Sequence, residues 1–395
     1  MHAKGDRIEQ PVGPDPVARA RELAAELTAA SDEIERTRRI PEPLLTRLHE
    51  ARLFRMLLPT SVGGDQVHPG TYLLALEEVA RHDASVAWNL FVANSSALIA
   101  PFLAPEPAAT IFTDPRAVVA WGPPNATTAD AGDGGYRVSG RWDFASGCRQ
   151  ATWMGAHCRV VEAGGELRLN EAGVPIIRTL LFPVEQAELL DTWDTIGLRG
   201  TASDSYAVSD LFVPEDFSST REEPALRRER GPLYAFTMQG LYAVGVAAVG
   251  LGIGRAMLAA FADLAEAKAP RGLDRLADTA LVQAGVARAE AKLGAGRAYL
   301  TETLGEIYAT ADDVAPISVP ERARVRLATA NAIHGAIEVA DWVYKAAGVD
   351  AIFPGSAFER RFRDMHTLSQ QIQSRDAHFE AVGKVLLDVP PAVFY

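Results

Sequence analysis

The stretch RRFRDMHTLSQQIQ, residues 360–373, gathers several side chains able to move or direct a proton. Histidine titrates near neutral pH. An amide orients a substrate but cannot take its proton near pH 7. On a helix, His366, Gln370 and Gln371 therefore either supply a base or line a pocket with amides. His366 is the only histidine of that stretch. The ordinary alternatives are an inter-helix histidine, a polar interface glutamine, and Arg363 with Asp364 as an ion pair pinning the helix. Elsewhere, Ser146 in DFASGC is a functional hydroxyl or a turn serine. Asn125 in PPNATT is a ligand to a bound group or the head of an Asx-turn. Trp88 and Trp121 are pocket walls or core aromatics. The two cysteines, Cys148 and Cys158, are too few for a disulfide scaffold and lack metal spacing, so they read as reduced thiols.

The elements that must position these residues follow from composition and periodicity. The chain has 395 residues, 48% hydrophobic and 23% charged, with a formal net charge of -12. Such a chain buries a sizeable core. Its acidity argues against nucleic acid as a partner. The first residues, MHAKGDRIEQPVGPDP, lack the apolar core of a signal peptide, so the expected compartment is the cytoplasm. YAVGVAAVGLGIGRAMLAAFADL is apolar but rich in Gly and Ala and interrupted by Arg255, which suits a buried helix better than a membrane span.

Residues 1–115 are expected to be mainly helical, with Pro41 and Pro43 at a helix start and Asp83 and Ser85 at a break. Residues 116–225 hold short β-rich runs with a GDGG turn and are expected to form a small antiparallel β domain. Residues 226–395 are expected to form a four-helix bundle from helices over 233–267, 274–310, 319–347 and 358–387. GLGIG lies within a helix, not after a strand, and is a poor dinucleotide fingerprint.

Helices, a small β domain and a helical bundle, in that order, resemble the acyl-CoA dehydrogenase fold, an α+β, mainly α architecture. LFRMLLPTSVGG, YRVSGRWDFASG, WDTIGLRGTASDSYAVSDLFVPEDF and KAAGVDAIFPGSAFERRFRD resemble that superfamily's motifs in order and spacing. A dehydrogenase needs a carboxylate to abstract a proton. The superfamily glutamate after the RD arginine falls here on Ile372, and FTMQGLYAVGVAAVG has no carboxylate at the alternative position. HDASVAWNLFVANS, DFASG and RDMHT instead resemble the flavin-dependent monooxygenases, oxygenase components of two-component systems.

The resemblance implies a reduced-flavin-dependent enzyme, with FMN preferred over FAD, that inserts one atom of O2 into a small organic substrate through a flavin C4a-hydroperoxide. A separate NAD(P)H:flavin reductase would supply the reduced flavin, and the assembly would be a homotetramer. It implies Ser146 at the flavin N5 edge, with Phe144 and Ala145 beside it. Asn125 would lie near the reactive face and Trp193 against the isoalloxazine. Arg271 would meet the phosphate, and Gly348 would approach a neighbour's flavin phosphate. Asn94, Gln371 and His366 would orient substrate among Trp88, Trp121 and Gln370. Aromatic hydroxylases of this branch commonly carry two histidines, one where this chain has Ala93 and Asn94 and the other where it has Gln371. The missing bases favour a substrate that is already nucleophilic: an amine, a sulfur compound or an enolised ring. The alternatives are an acyl-CoA dehydrogenase or oxidase with a displaced base, and a non-catalytic binding protein.

Overall fold

A computed structural model describes residues 15–171, 173–220, 224–270, 272 and 274–389. Arg271 lies outside the described residues. The N-terminal part is helical: α1 (Pro16–Glu22), α2 (Ala24–Thr37), α3 (Glu42–Glu50), α4 (Pro69–His82), α5 (Ala84–Ala97) and α6 (Pro105–Phe112). α2 buries Leu27, Ser31 and Ile34, a stripe at helical spacing. Asp83 separates α4 from α5 as expected, and its carboxylate accepts the Val86 N–H at 2.8 Å, an N-cap. α5 is buried along its whole length, so it is a core rod of this part.

The middle part is one sheet: β1 (Val119–Trp121), β2 (Thr128–Gly132), β3 (Gly135–Ala145), β4 (Trp153–Val161), β5 (Ile177–Pro183), β6 (Glu188–Leu190), β7 (Asp204–Pro214) and β8 (Ser218–Ser219). Its order is β6-β7-β3-β2-β4-β5-β8, with β1 added on β4. The expected GDGG turn joins β2 and β3, with Gly134 at φ 74. The sheet is mixed, which corrects the antiparallel expectation: β4 pairs in parallel with β1 and β2. β3 acts as the crossover that returns the chain for a parallel pairing. Between Trp142 and Ala145 the β3–β7 register shifts by an extra residue. Such a bulge re-aims side chains, and here it holds Phe144 at φ 62.

The C-terminal part contains α7 (Met238–Ala267), α8 (Ala280–Thr310), α9 (Val319–Ala347), α10 (Glu359–Leu368) and α11 (Ala377–Leu386). α7 is long and apolar enough to cross a membrane, but 78% of its most apolar window is buried. It packs on α4 at Gly252, where a Cβ would lie 2.4 Å from Ala80 Cβ. The expected helix over 358–387 is two pieces. Gln371 turns extended, its side-chain oxygen accepts the Gln373 N–H at 2.6 Å, and the Ser374 hydroxyl donates to Leu368 O at 3.0 Å.

Candidate active site

The site is built where the β3 bulge faces the loop before β7. Ser146 follows the bulge and is 8% exposed. Its hydroxyl accepts the Trp88 indole N–H from α5 at 3.1 Å. It lies 2.6 Å from Ser203 Oγ, which lies 2.7 Å from Thr201 Oγ1. The Thr201 hydroxyl also approaches Leu198 O at 2.8 Å. That carbonyl receives the Trp193 indole N–H at 3.0 Å as well. One row of hydroxyls therefore ties Trp88, Ser146 and Trp193 together.

Phe144, 62% exposed, stands edge-on to Trp193 with ring centroids 6.1 Å apart. An exposed aromatic ring held in left-handed backbone is costly on both counts. Leu198 and Ala202, also non-glycine, are left-handed at φ 49 and 41. Three such residues around one hydroxyl row mark a built site. Its shape, two aromatic rings beside a buried hydroxyl, suits a planar ring system with a polar edge. Ala145, fully buried, backs it.

The Trp193 loop is pinned from below. Asp204, 2% exposed, accepts the Thr192 and Trp193 N–H groups at 3.0 and 2.9 Å and the Arg149 guanidinium at 2.7 Å. Arg38 donates to Trp193 O at 2.8 Å. From α10, Asp364 accepts the Leu198 N–H at 2.6 Å. Burial pushes the Asp364 carboxyl up to about 7.

A second wall leads away from Ser146. Trp88 meets Phe91 edge-on at 4.8 Å, and Phe91 meets Tyr242 of α7 edge-on at 5.0 Å. The Tyr242 hydroxyl lies near the Gln371 side chain, and burial pushes it up to about 12. Gln371 thus stands on the same wall as Trp88, at its far end.

Several expected residues lie elsewhere. Asn94 is fully buried, and its amide is committed to backbone: it donates to Leu53 O and Leu90 O, both at 2.8 Å, and accepts the Leu57 N–H at 3.0 Å. It clamps α5 to the preceding turn and has no donor left for substrate. His366 faces α9, with Nε2 3.0 Å from the partly exposed Asp341 carboxylate. Met365 and Leu368 take the buried side of α10, so this histidine is the inter-helix alternative. Gln370 is exposed and donates to Ser369 Oγ at 3.2 Å. Asn125 forms an Asx-turn on an exposed loop, donating to Arg141 O and accepting the Thr127 N–H, both at 2.8 Å. Trp121 packs on Gly155 and edge-on to His157 at 4.9 Å, within the sheet. Gly348 is the exposed left-handed end of α9. Arg363 pairs with Glu35 and Glu359 rather than with Asp364. Cys148 and Cys158 are free and buried.

Sequence reasoning missed Ser203, Thr201, Leu198, Asp204, Phe91 and Tyr242. The first four sit in LRGTASD, whose run of small hydroxyl residues after a glycine was the available signal.

Two family models match the chain: acyl-CoA dehydrogenase, N-terminal domain, over residues 17–104, and acyl-CoA dehydrogenase, C-terminal domain, over residues 244–375. Indole-3-acetate monooxygenase of Pseudomonas putida is 29% identical over 375 residues, covering 92% of this chain and 91% of its own. The oxygenase subunit HsaA of a flavin-dependent monooxygenase from Rhodococcus jostii (strain RHA1) is 27% identical over 367 residues, covering 87% and 90%. The structure of XiaF from Streptomyces in complex with FADH2 and glycerol has the same fold, with a TM-score of 0.87 at 24% identity over 96% of both chains.

Proposed function

The chain belongs to the acyl-CoA dehydrogenase superfamily and is a flavin-dependent monooxygenase of that fold, and from that premise we propose that it oxygenates a small, electron-rich aromatic substrate of the indole type. Reduced FMN or FAD, delivered by a separate NAD(P)H:flavin reductase, supplies the chemistry when bound: with O2 it forms the C4a-hydroperoxide that gives up one oxygen atom. In the same proposal the enzyme works in the cytoplasm as a homotetramer, with Gly348 near a neighbour's flavin phosphate.

The observation that carries this reading is the bulged, exposed Phe144 ring beside Trp193 over the buried Ser146 hydroxyl. In the proposed complex, Trp193 lies against the flavin ring and Phe144 stands along its edge. Ser146 meets the N5 edge, fixed in place by the Trp88 N–H. Trp88, Phe91 and Tyr242 form an apolar wall that keeps water from the reacting face. Gln371 and Tyr242 offer hydrogen bonds to the substrate and hold its ring in place.

A substrate of the indole type fits the groups on that wall. Its ring carbons are nucleophilic without deprotonation, and neither an amide nor a phenol pushed up to about 12 takes a proton at neutral pH. The name of the Pseudomonas putida relative supports the same class. Asp364, the carboxyl raised to about 7, is fully engaged beneath Leu198 and is no substitute for a desaturation base.

Stopped-flow mixing of the reduced-flavin complex with O2 tests the reading. The expected result is a long-lived flavin–oxygen adduct that decays faster when an indole-type substrate is present. Ser146→Ala should shorten its lifetime about tenfold, the worth of one hydrogen bond. Direct reoxidation in the wild type, with no adduct, overturns the assignment.

A further inference from the structure

The hydroxyl row at Ser146 runs in one direction only. A carbonyl oxygen can only accept, so the Thr201 hydroxyl spends its single proton on Leu198 O at 2.8 Å. Ser203, 2.7 Å from Thr201 Oγ1, must then donate to it. Ser146, 2.6 Å from Ser203 Oγ, must in turn donate to Ser203. The Trp88 indole N–H is only a donor, and it donates to Ser146. The Ser146 oxygen is left with its proton turned inward, one lone pair on Trp88 and one lone pair free.

We infer that this one-way relay fixes Ser146 as an acceptor at the flavin edge, and that Ser203 and Thr201 are thereby the residues that set the site's preference for reduced over oxidised flavin. The inference rests on the placement of Ser146 at N5 under the proposed function. Reduced flavin carries a hydrogen on N5 and can donate to the free lone pair. Oxidised flavin has only a lone pair at N5, and two acceptors then face each other. An unmade hydrogen bond in a water-poor site is costly, so oxidised flavin binds more weakly. An oxygenase that takes its flavin reduced and must let it go oxidised gains from that asymmetry. Ser203 and Thr201 are positioning residues: they touch no flavin atom and act by fixing which way the Ser146 proton points.

The relay has a definite weak link. Ser203→Ala removes the acceptor for the Ser146 proton, which is then free to turn outward and donate to oxidised N5. Thr201→Val has the same end by another route. Ser203 loses its acceptor, turns its proton to Ser146, and Ser146 donates outward. Leu198 O keeps the Trp193 N–H in both variants. Trp88→Phe removes a donor but leaves the proton direction unchanged.

The test is anaerobic titration of wild type and the three variants with oxidised FMN and with dithionite-reduced FMN, followed by tryptophan fluorescence. Wild type should bind reduced FMN at least tenfold more tightly. The ratio should fall about tenfold in Ser203→Ala and in Thr201→Val, and persist in Trp88→Phe. The midpoint potential of bound FMN gives an independent readout: a tenfold loss of selectivity lowers it by about 30 mV for a two-electron couple. A wild type that binds both forms equally overturns the relay. So do Ser203 and Thr201 variants that weaken both forms alike, or a Trp88→Phe variant that loses selectivity. A wild type that binds neither form instead overturns the proposed function, and the relay falls with it.

Discussion

At the scale of single residues, the site depends on side chains that never reach a substrate. Asp204 is the clearest case. It is buried, and it gathers two backbone N–H groups of the Trp193 loop together with Arg149. Asp204→Asn keeps one acceptor but turns an amide N–H toward Arg149. Breaking a buried charge pair costs about 3 kcal/mol, so urea unfolding should show a loss of that size, and reduced-FMN affinity should fall with it. A change under about 0.5 kcal/mol would show that the loop is held some other way. Ser146, Phe144 and Trp193 were legible in the sequence through their motifs. The relay was not, because Ser146 and its partners Ser203 and Thr201 are joined only when β3 and β7 pair. Asn94 and His366 misled for a related reason. Polar residues on helices look available in sequence, yet here one is spent on backbone and the other on a neighbouring helix.

At the scale of elements, helix contacts are set by where glycine permits them. At Gly252 a Cβ would meet Ala80 Cβ at 2.4 Å and Glu77 O at 2.6 Å, so α7 and α4 would have to part. At Gly305 in α8 a Cβ would meet nothing within 4 Å. Gly252→Ala should therefore destabilise by about 1–3 kcal/mol through overpacking. Gly305→Ala should stabilise by roughly 0.5–1 kcal/mol, because it only restricts the unfolded chain. Opposite shifts in melting temperature are the expected signature, and shifts of the same sign would contradict this account. Long helices were legible because apolar spacing is local information. The break between α10 and α11 was not, since SQQIQSRDAH contains neither Pro nor Gly and the turn is made by side-chain caps. The parallel pairings of β4 were hidden too, because register between distant strands leaves no local trace.

At the scale of the whole molecule, the three parts meet at one buried carboxyl. Asp364 comes from α10, the Leu198 N–H it holds comes from the β part, and Asp83, Glu35 and Arg360 surround it electrostatically. A cavity of ≈ 10 Å³ lined by Ser31, Asp83, Arg360, Arg361 and Asp364 adjoins it. Burial raises the Asp364 carboxyl to about 7 from an unfolded value near 3.8. The folded chain then holds this proton more tightly than the unfolded chain between those values. Its contribution to stability is present at low pH and is lost as pH rises from about 4 to about 7. Asp364→Asn removes the titration while leaving an oxygen to accept the Leu198 N–H. The stability of the variant relative to wild type should therefore rise between pH 4.5 and pH 8, at about 1.4 kcal/mol for each unit of separation the wild type pays. Asp83, also raised by burial, still titrates in both proteins, so the variant keeps part of its own slope. Urea midpoints at the two pH values measure the difference. If it does not change with pH, Asp364 does not titrate in that range, and the junction is held by an ordinary ionised carboxylate.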